Sequence, residues 1–405
     1  MTDRRPDQPD RPDETDRPDR PDRPDAAQPT GPGRLADIRE DVAVTRPAVS
    51  PRPGVERSGE RTPDAPGHVP PGARRRLLTP QEYVDGVRSG DRTLLARAIT
   101  LIESNAPAHL DLAQEVVRQL LPDRGRAVRV GVTGVPGAGK STLIEALGSL
   151  LTDRGLKVAV TAVDPSSSVT GGSVLGDKTR MERLGADPRA FVRPSPSGGT
   201  LGGVTRKTRE TILLFEAAGH DVVLVETMGV GQSETVVRDM VDFFLLVLIA
   251  GGGDELQGIK KGVIELADAI VINKADGANR QPAELARAEY ERALHYLRPA
   301  TAGWQTRAFT CSATSGDGVP ELWGVVEAFM THARESGVLE TRRREQERHW
   351  LRQLVREQLE EDFLRHAAVR AQLPDLEAAV TAGEVPAVTA ARRLLATYRQ
   401  TPREG

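Results

Sequence analysis

Nine consecutive residues in the first half of the chain have the pattern of a loop that binds nucleotide phosphates. They are Gly134, Val135, Pro136, Gly137, Ala138, Gly139, Lys140, Ser141 and Thr142. Glycines let such a backbone wrap around phosphates, while successive amides and the following helix N-terminus supply positive potential. We expect Lys140 to reach the β and γ phosphates as a catalytic residue, and Ser141 to ligate Mg²⁺.

A second motif is suited to reading a guanine base. Asn273-Lys-Ala-Asp276 follows the apolar segment 269–272. The Asp276 carboxylate can accept hydrogen bonds from the ring N–H and the exocyclic amine of guanine, whereas adenine has neither donor in that place. We expect Lys274 to lie along the face of the base and Asn273 to tie this motif to the phosphate loop.

A third short segment belongs to the same predicted base site. Ser312-Ala313 follows the apolar segment 308–311, and we expect it to give a backbone amide to the guanine carbonyl. Cys311 next to it is predicted to be a small buried residue and not a nucleophile.

Acidic residues at two further segment ends suit a magnesium ion, which prefers oxygen ligands and keeps several waters. Glu226 begins Glu226-Thr-Met-Gly229, where the acid would lie near Mg²⁺ and the amide of Gly229 would touch the γ-phosphate. Asp164 and Asp177 are the other metal candidates, and the three acids cannot all bind the ion directly at once. The alternative for Asp164 is a helix N-cap or a turn former, and the alternative for Asp177 is a solvated loop acid.

The motifs are spaced by alternating apolar runs and helical patterns, which predicts a mostly parallel sheet buried by helices on both faces. Ligands of such α/β folds lie at the carboxyl ends of the strands, where every motif above falls. The six predicted strands are 128–132, 158–163, 221–225, 243–248, 269–272 and 308–311, within a nucleotide domain spanning 127–335.

The flanking segments differ from this domain in composition. Residues 1–75 repeat Arg-Pro-Asp with almost nothing apolar, and we expect a disordered arm. Residues 76–126 are predicted to form a helical extension that begins at an N-cap, Thr79, followed by Pro80. Residues 336–405 are predicted to be a helical arm whose apolar stripe includes Trp350, Leu351, Leu354, Val355, Leu359 and Phe363. Periodicity alone leaves open whether that stripe packs on its own domain or on a second subunit.

Composition argues against several partners. The net charge of −3 provides no basic field for nucleic acid or an anionic membrane. The single cysteine fits a reducing cytoplasm and excludes a multi-cysteine metal site. The N-terminus has no apolar signal segment, and the longest apolar run is far shorter than the roughly 20 residues that span a bilayer.

Beyond the general nucleotide motifs, longer stretches resemble the MeaB/ArgK family of GTPases over about residues 80–400. The stretches are Val163-Asp-Pro-Ser-Ser, Thr170-Gly-Gly-Ser, Leu175-Gly-Asp-Lys-Thr-Arg-Met181, Glu226-Thr-Met-Gly-Val-Gly-Gln-Ser-Glu234 and Ala250-Gly-Gly-Gly-Asp-Glu-Leu-Gln-Gly-Ile-Lys260. The family usually has valine where this chain has Met228, an apolar exchange from which we expect little consequence.

The resemblance implies a homodimeric chaperone of an adenosylcobalamin-dependent acyl-CoA mutase, usually methylmalonyl-CoA mutase, that gates cofactor loading and protects the enzyme. It implies a first switch at 164–181, a second at 226–234 and a further switch at 251–261 that relays the nucleotide state. It also implies that the C-terminal helices form a dimerisation arm.

The expected reaction is attack of water on the γ-phosphate of GTP, yielding GDP, with slow basal turnover that the mutase stimulates. Gln232 is a candidate for positioning the water, although an amide that stabilises a turn explains it equally well, and Arg180 is an untested arginine finger. Three alternatives stay open: a nickel-delivery GTPase, a kinase of the basic amino acid transport type, and a scaffold that keeps nucleotide as a structural ligand. The motifs do not encode which mutase is the client.

Overall fold

The computed structural model describes residues 77–163, 181–193, 201–227, 233–251 and 261–400. The predicted arm at 1–75 and the candidate residues Asp164, Asp177, Gly229 and Gln232 lie outside these ranges.

Three helices precede the sheet, α1 Pro80–Arg88, α2 Arg92–Glu103 and α3 Pro107–Leu120. The predicted N-cap at Thr79 is confirmed, because its hydroxyl accepts from the Glu82 amide at 3.2 Å and the Glu82 carboxylate accepts from the Thr79 amide at 2.7 Å. This reciprocal pair satisfies two of the amide donors that a helix start leaves unpaired.

The centre of the protein is a seven-stranded sheet in the order β3-β2-β4-β1-β5-β6-β7. All six neighbouring pairs are parallel, as the alternating pattern predicted. The strands are β1 Val128–Gly134, β2 Val158–Val163, β3 Ala190–Arg193, β4 Val222–Thr227, β5 Phe243–Ile249, β6 Ala269–Asn273 and β7 Ala308–Thr310. The sequence interpretation missed β3, the edge strand next to β2.

Helices cover both faces of the sheet. Within and after the sheet region they are α4 Lys140–Asp153, α5 Glu182–Ala186, α6 Leu201–Ala217, α7 Ser233–Arg238, α8 Lys261–Leu266, α9 Arg280–Leu294, α10 Val319–Glu335, α11 Val338–Arg365, α12 Ala367–Thr381 and α13 Ala387–Gln400. Alternate strand residues face different clusters, so that Val132 packs with α4 and α10 while Val225 packs with α1–α3, α6 and α7. Among the described residues, the strand ends are therefore the part of the sheet that helices leave free.

Helix α11 begins as a buried element and continues as an exposed one. Near its start, Arg343 donates to the Asp242 carboxylate at 2.7 and 2.6 Å and to the carbonyl oxygens of Gly125 and Ala127. These contacts fix the helix to the amino-terminal edge of the sheet. Further along, part of the predicted apolar stripe is open to solvent, with Leu351 63%, Val355 50% and Leu359 55% exposed.

The last helices pack on the end of α11. The rings of Phe363 and Tyr398 meet edge to face with centroids 5.4 Å apart. Helix α13 was predicted after Pro386, and α12 was not predicted. Within the described residues, no helix combines the length and apolar character needed to cross a bilayer.

Candidate functional site

Four of the predicted site segments follow strands at the carboxyl edge of the sheet. The phosphate loop follows β1, Glu226 lies near the end of β4, Asn273 ends β6, and Ser312 lies just beyond β7. Strand β1 lies between β4 and β5, so the phosphate loop has the acid on one side and the base-reading motif two strands away on the other. The parallel topology thus brings together residues from distant parts of the sequence.

Glycines in the phosphate loop are required by close contacts. Gly134 has a φ of 149°, and a Cβ there would lie 2.0 Å from the carbonyl oxygen of Val247 on β5. Gly139 has a φ of 84°, and a Cβ there would lie 2.7 Å from the side-chain nitrogen of Asn273. A side chain at either position would force backbone or the base-reading loop to move.

Lys140 starts α4 and is nearly buried, with 7% of its surface exposed. Its ammonium donates to the carbonyl oxygens of Gly134 at 3.0 Å and Val135 at 3.1 Å, both in the phosphate loop. Burial lowers the pKa of Lys140, while the charges of Glu226 and Glu234 oppose that shift. The ammonium is therefore held against the phosphate loop, near enough to Glu226 for that charge to act on it.

Two of the predicted metal ligands are in direct contact. The hydroxyl of Ser141 donates to Oε1 of Glu226 at 2.7 Å. A hydroxyl and a carboxylate oxygen this close, beside a phosphate loop, are the kind of oxygen donors that Mg²⁺ accepts. The donor set fits the ion, and Asp164 and Asp177 stay predictions.

Asn273 links the base-reading motif to the phosphate loop as predicted, since its side-chain amide donates to the Ala138 carbonyl at 2.8 Å. Lys274 has a φ of 60°, a conformation that costs free energy in a residue with a Cβ. The Asp276 carboxylate accepts a hydrogen bond from the Ser312 hydroxyl, which holds it in one orientation. The Ala313 amide donates to Oδ1 of Asn273 at 3.1 Å, so in this structure it stabilises the loop that was predicted to face the base.

Two further features complete the site. Cys311 is buried, and burial raises its pKa to about 12, which agrees with the prediction that it is not a nucleophile. The negative charge of Glu234, on α7, favours the protonated form of Lys140 and so raises its pKa. Glu234 was not among the predicted site residues. The available sequence signal was its position as the last residue of the Glu226–Glu234 motif.

The model of the family described as methylmalonyl Co-A mutase-associated GTPase MeaB matches residues 95–368. The chain belongs to this family. A GTPase ArgK of Escherichia coli is 53% identical over 285 residues, which cover 70% of this chain and 85% of that protein. A mitochondrial methylmalonic aciduria type A homolog of Mus musculus is 45% identical over 333 residues, covering 79% and 80%.

The fold of this MeaB-family protein is also found among solved structures. The crystal structure of an LAO/AO transport system kinase shares 41% sequence identity with a TM-score of 0.66, covering 80% of this chain and 100% of that one. The family, the relatives named as GTPases and the phosphate and guanine motifs together make the chain a GTPase that binds guanine nucleotide.

Proposed function

We propose that this MeaB-family GTPase is a chaperone of an adenosylcobalamin-dependent acyl-CoA mutase, with methylmalonyl-CoA mutase as the first client to test. It would gate loading of the cofactor and protect the mutase. The class of client is inferred from the family match, because the description of that family names the mutase. The relative named for methylmalonic aciduria supports the same inference. The observation that carries the chemistry is the contact between Ser141 and Glu226 beside the phosphate loop.

In this proposal the residues of the chain bind and orient GTP for attack by water on the γ-phosphate. The amides of the phosphate loop hold the phosphates, and the Asp276 carboxylate holds the base. The ammonium of Lys140 exchanges the carbonyl oxygens of Gly134 and Val135 for phosphate oxygens when nucleotide enters. Ser141 and Glu226 would hold Mg²⁺, which supplies charge neutralisation at the phosphate oxygens when bound.

The proposed assembly is a homodimer formed through α11. Leu351, Val355 and Leu359 recur at every fourth position, so they share one face of the helix. They are half or more exposed, and such a row of large apolar side chains is typical of a surface covered by another subunit.

The test is GTP turnover by the purified protein, alone and with each candidate mutase, with ATP as the nucleotide control. We expect slow hydrolysis selective for GTP, accelerated by one mutase. The control variant Asp276→Asn should lose the selectivity and remain folded. Turnover unchanged by every mutase, in a protein that binds GTP normally, would contradict the chaperone proposal.

A kinase activity has one observation in its favour, the name of the transport system kinase whose fold this chain shares. GTP labelled in the γ position distinguishes the two functions. Label released as free phosphate supports hydrolysis, whereas label that stays on a protein or a basic amino acid supports phosphoryl transfer.

A further inference from the structure

A pair of buried hydroxyls links β1 and β4 at the point where the two strands end. Oγ1 of Thr133 and Oγ1 of Thr227 are 2.8 Å apart, and both residues are fully buried. The backbone register of these strands runs as far as Val132 opposite Glu226. The hydroxyl pair lies one residue beyond it, so it continues the connection where the chains begin to diverge.

Each threonine is adjacent in sequence to a residue of the nucleotide site. Thr133 precedes Gly134, the first residue of the phosphate loop, and Thr227 follows Glu226, whose carboxylate accepts from Ser141. Their side chains lie on the other face of the sheet from Glu226. Alternation along β4 places Thr227 with Val225, which belongs to the cluster that includes α7. Among the described residues, the threonines therefore act on the site through the backbone of the strands that carry them.

The same alternation places Thr133 on the α7 face of β1. It shares the face of Gly131, where a Cβ would lie 2.9 Å from Val237 of α7. A hydroxyl in such apolar surroundings is costly without a partner, and each threonine supplies one for the other. The hydrogen bond between the two hydroxyls therefore favours one distance between the ends of β1 and β4.

We propose that Thr133 and Thr227 are positioning residues that fix Glu226 relative to Ser141 and the phosphate loop. This inference rests on the proposed Mg²⁺ site, because the geometry it protects is that of the two oxygen ligands. Loss of either hydroxyl would leave the GTP-binding contacts of Asp276 in place but loosen the metal ligands. Small displacements of such groups have large effects on a reaction that depends on positioning.

The test uses the full chain with Thr133→Val, Thr227→Val, the double variant, and Thr227→Ser, which keeps the hydroxyl. The first readout is the dissociation rate of a fluorescent GDP analogue with Mg²⁺ and with a chelator, which needs no catalysis. The second is the Mg²⁺ concentration that gives half-maximal GTP hydrolysis, with kcat and KM measured separately. Thr306→Val is the matched control, because it removes a buried hydroxyl that donates to the Ala267 carbonyl at 2.9 Å, away from the site.

We expect each valine variant to raise the half-maximal Mg²⁺ concentration roughly tenfold, consistent with one unpaired buried hydroxyl. The Mg²⁺-dependent slowing of GDP release should weaken by a similar factor, and kcat should fall with KM for GTP little changed. The double variant should be no worse than the single ones, because both remove the same interaction. Thr227→Ser should behave as the unmodified protein, and Thr306→Val should change only the unfolding temperature.

The inference is wrong if the valine variants change only the unfolding temperature, as the control does, or if the effects of the two add. Glu226→Gln in the same experiments separates this failure from that of the metal site. A Mg²⁺ effect of Glu226→Gln without one in the threonine variants overturns the positioning role alone. No Mg²⁺ effect of Glu226→Gln overturns the proposed metal site and this inference with it.

Discussion

The side chain of Asn273 joins the loops that follow three different strands. Its amide nitrogen donates to the Ala138 carbonyl at 2.8 Å, and its oxygen accepts from the Ala313 amide at 3.1 Å and the Cys311 thiol at 3.5 Å. One amide group therefore holds the phosphate loop and both base-site loops in a common arrangement. Only an asparagine-like group, with one donor and one acceptor side, can make these contacts together.

Replacement of Asn273 by aspartate should weaken GDP and GTP binding to the same extent. The carboxylate has the same shape but cannot donate, so two acceptors would face each other at the Ala138 carbonyl. A penalty of about 1–3 kcal/mol predicts a loss of roughly 5- to 150-fold in affinity. Equilibrium titration with fluorescent GDP and GTP analogues measures it. Asn279→Asp, the same change at an exposed position, should have little effect, and a loss confined to one nucleotide would contradict this account.

Substitution of Asp276 by asparagine should change which base is bound. The carboxylate is expected to accept two charge-assisted hydrogen bonds from guanine, each contributing about 1.5–3 kcal/mol. Their loss predicts an affinity for GTP lower by on the order of 10²- to 10⁴-fold. Xanthosine triphosphate should gain affinity, because its base has a carbonyl where guanine has the amine. Competition between GTP, xanthosine triphosphate and ATP tests this, with Asp317→Asn as an exposed control. Unchanged GTP preference would exclude Asp276 from base reading.

Arg343 should be essential to stability because Asp242 is fully buried beneath it. Removing one partner of a buried pair typically costs about 3–5 kcal/mol of unfolding free energy, which we expect for Arg343→Gln. Arg344→Gln, the exposed neighbour whose guanidinium donates to the Glu340 carbonyl of its own helix, should stay within about 0.5 kcal/mol. Urea unfolding at pH 7 compares the two. A cost as small for Arg343→Gln as for Arg344→Gln would show that the pair is not needed.

The same pair predicts a pH dependence. Burial alone would raise the pKa of Asp242, but hydrogen bonding and charge from Arg343, with a contribution from Arg129, hold it below its usual value of 3.8. Because the folded pKa is the lower one, the stabilisation is complete above pH 3.8 and is lost as pH falls below it. Asp242→Asn has no carboxylate to protonate, so this loss of unfolding free energy as pH falls below 3.8 should be absent from the variant. An unchanged acid slope would assign the effect to other carboxylates.

Cys311 should not react with thiol reagents in the folded protein. Burial raises its pKa to about 12, so at pH 8 the thiolate is scarce as well as inaccessible. As the chain has one cysteine, the expected stoichiometry is no label per native chain and one per chain in denaturant. Native labelling at the rate of a free thiol would mean that the β7 loop opens readily.

The exposed stripe on α11 should determine the oligomeric state. Val355→Glu places a charge at the centre of the proposed dimer contact, and burying it unpaired would cost several kcal/mol. We expect a monomer by light scattering, with GDP affinity retained. Gln353→Glu introduces the same carboxylate two positions from both Leu351 and Val355, on another side of the helix, and should leave the dimer intact. A monomeric unmodified protein would remove the basis of this prediction.

The sequence predicted those parts of the molecule whose signal is local. Apolar runs identified six strands, and a parallel sheet then required the motifs at their ends to meet. Strand β3 was missed because only Ala190, Phe191 and Val192 precede a charged residue, too short a run to stand out. Helix α12 was missed because Pro374 lies inside it, and proline normally interrupts a helix. Its packing against α13 outweighs that preference.

The contacts between distant side chains that belong to no motif could not be predicted. A single threonine in an apolar strand has no pattern, so neither Thr133 nor Thr227 could be recognised as one of a pair. The ion pair of Asp242 with Arg343 joins residues 101 positions apart, and nothing near either residue indicates the other. Such residues become partners because whole helices and strands pack together. A short stretch of sequence holds no information about that packing.

Because Asp242 and Arg343 are 101 positions apart, they are also synthesised at different times. Synthesis proceeds from the N-terminus at about 5–20 residues per second, so β5 is synthesised roughly 5–20 seconds before Arg343. Until then Asp242 lacks Arg343, the larger of the two arginine contributions that compensate its burial, and the carbonyls of Gly125 and Ala127 lack a donor that the finished protein gives them. A nascent chain that already contains all seven strands is thus still incomplete at the amino-terminal edge of its sheet. Synthesis of the first turns of α11 supplies the partner for these three groups.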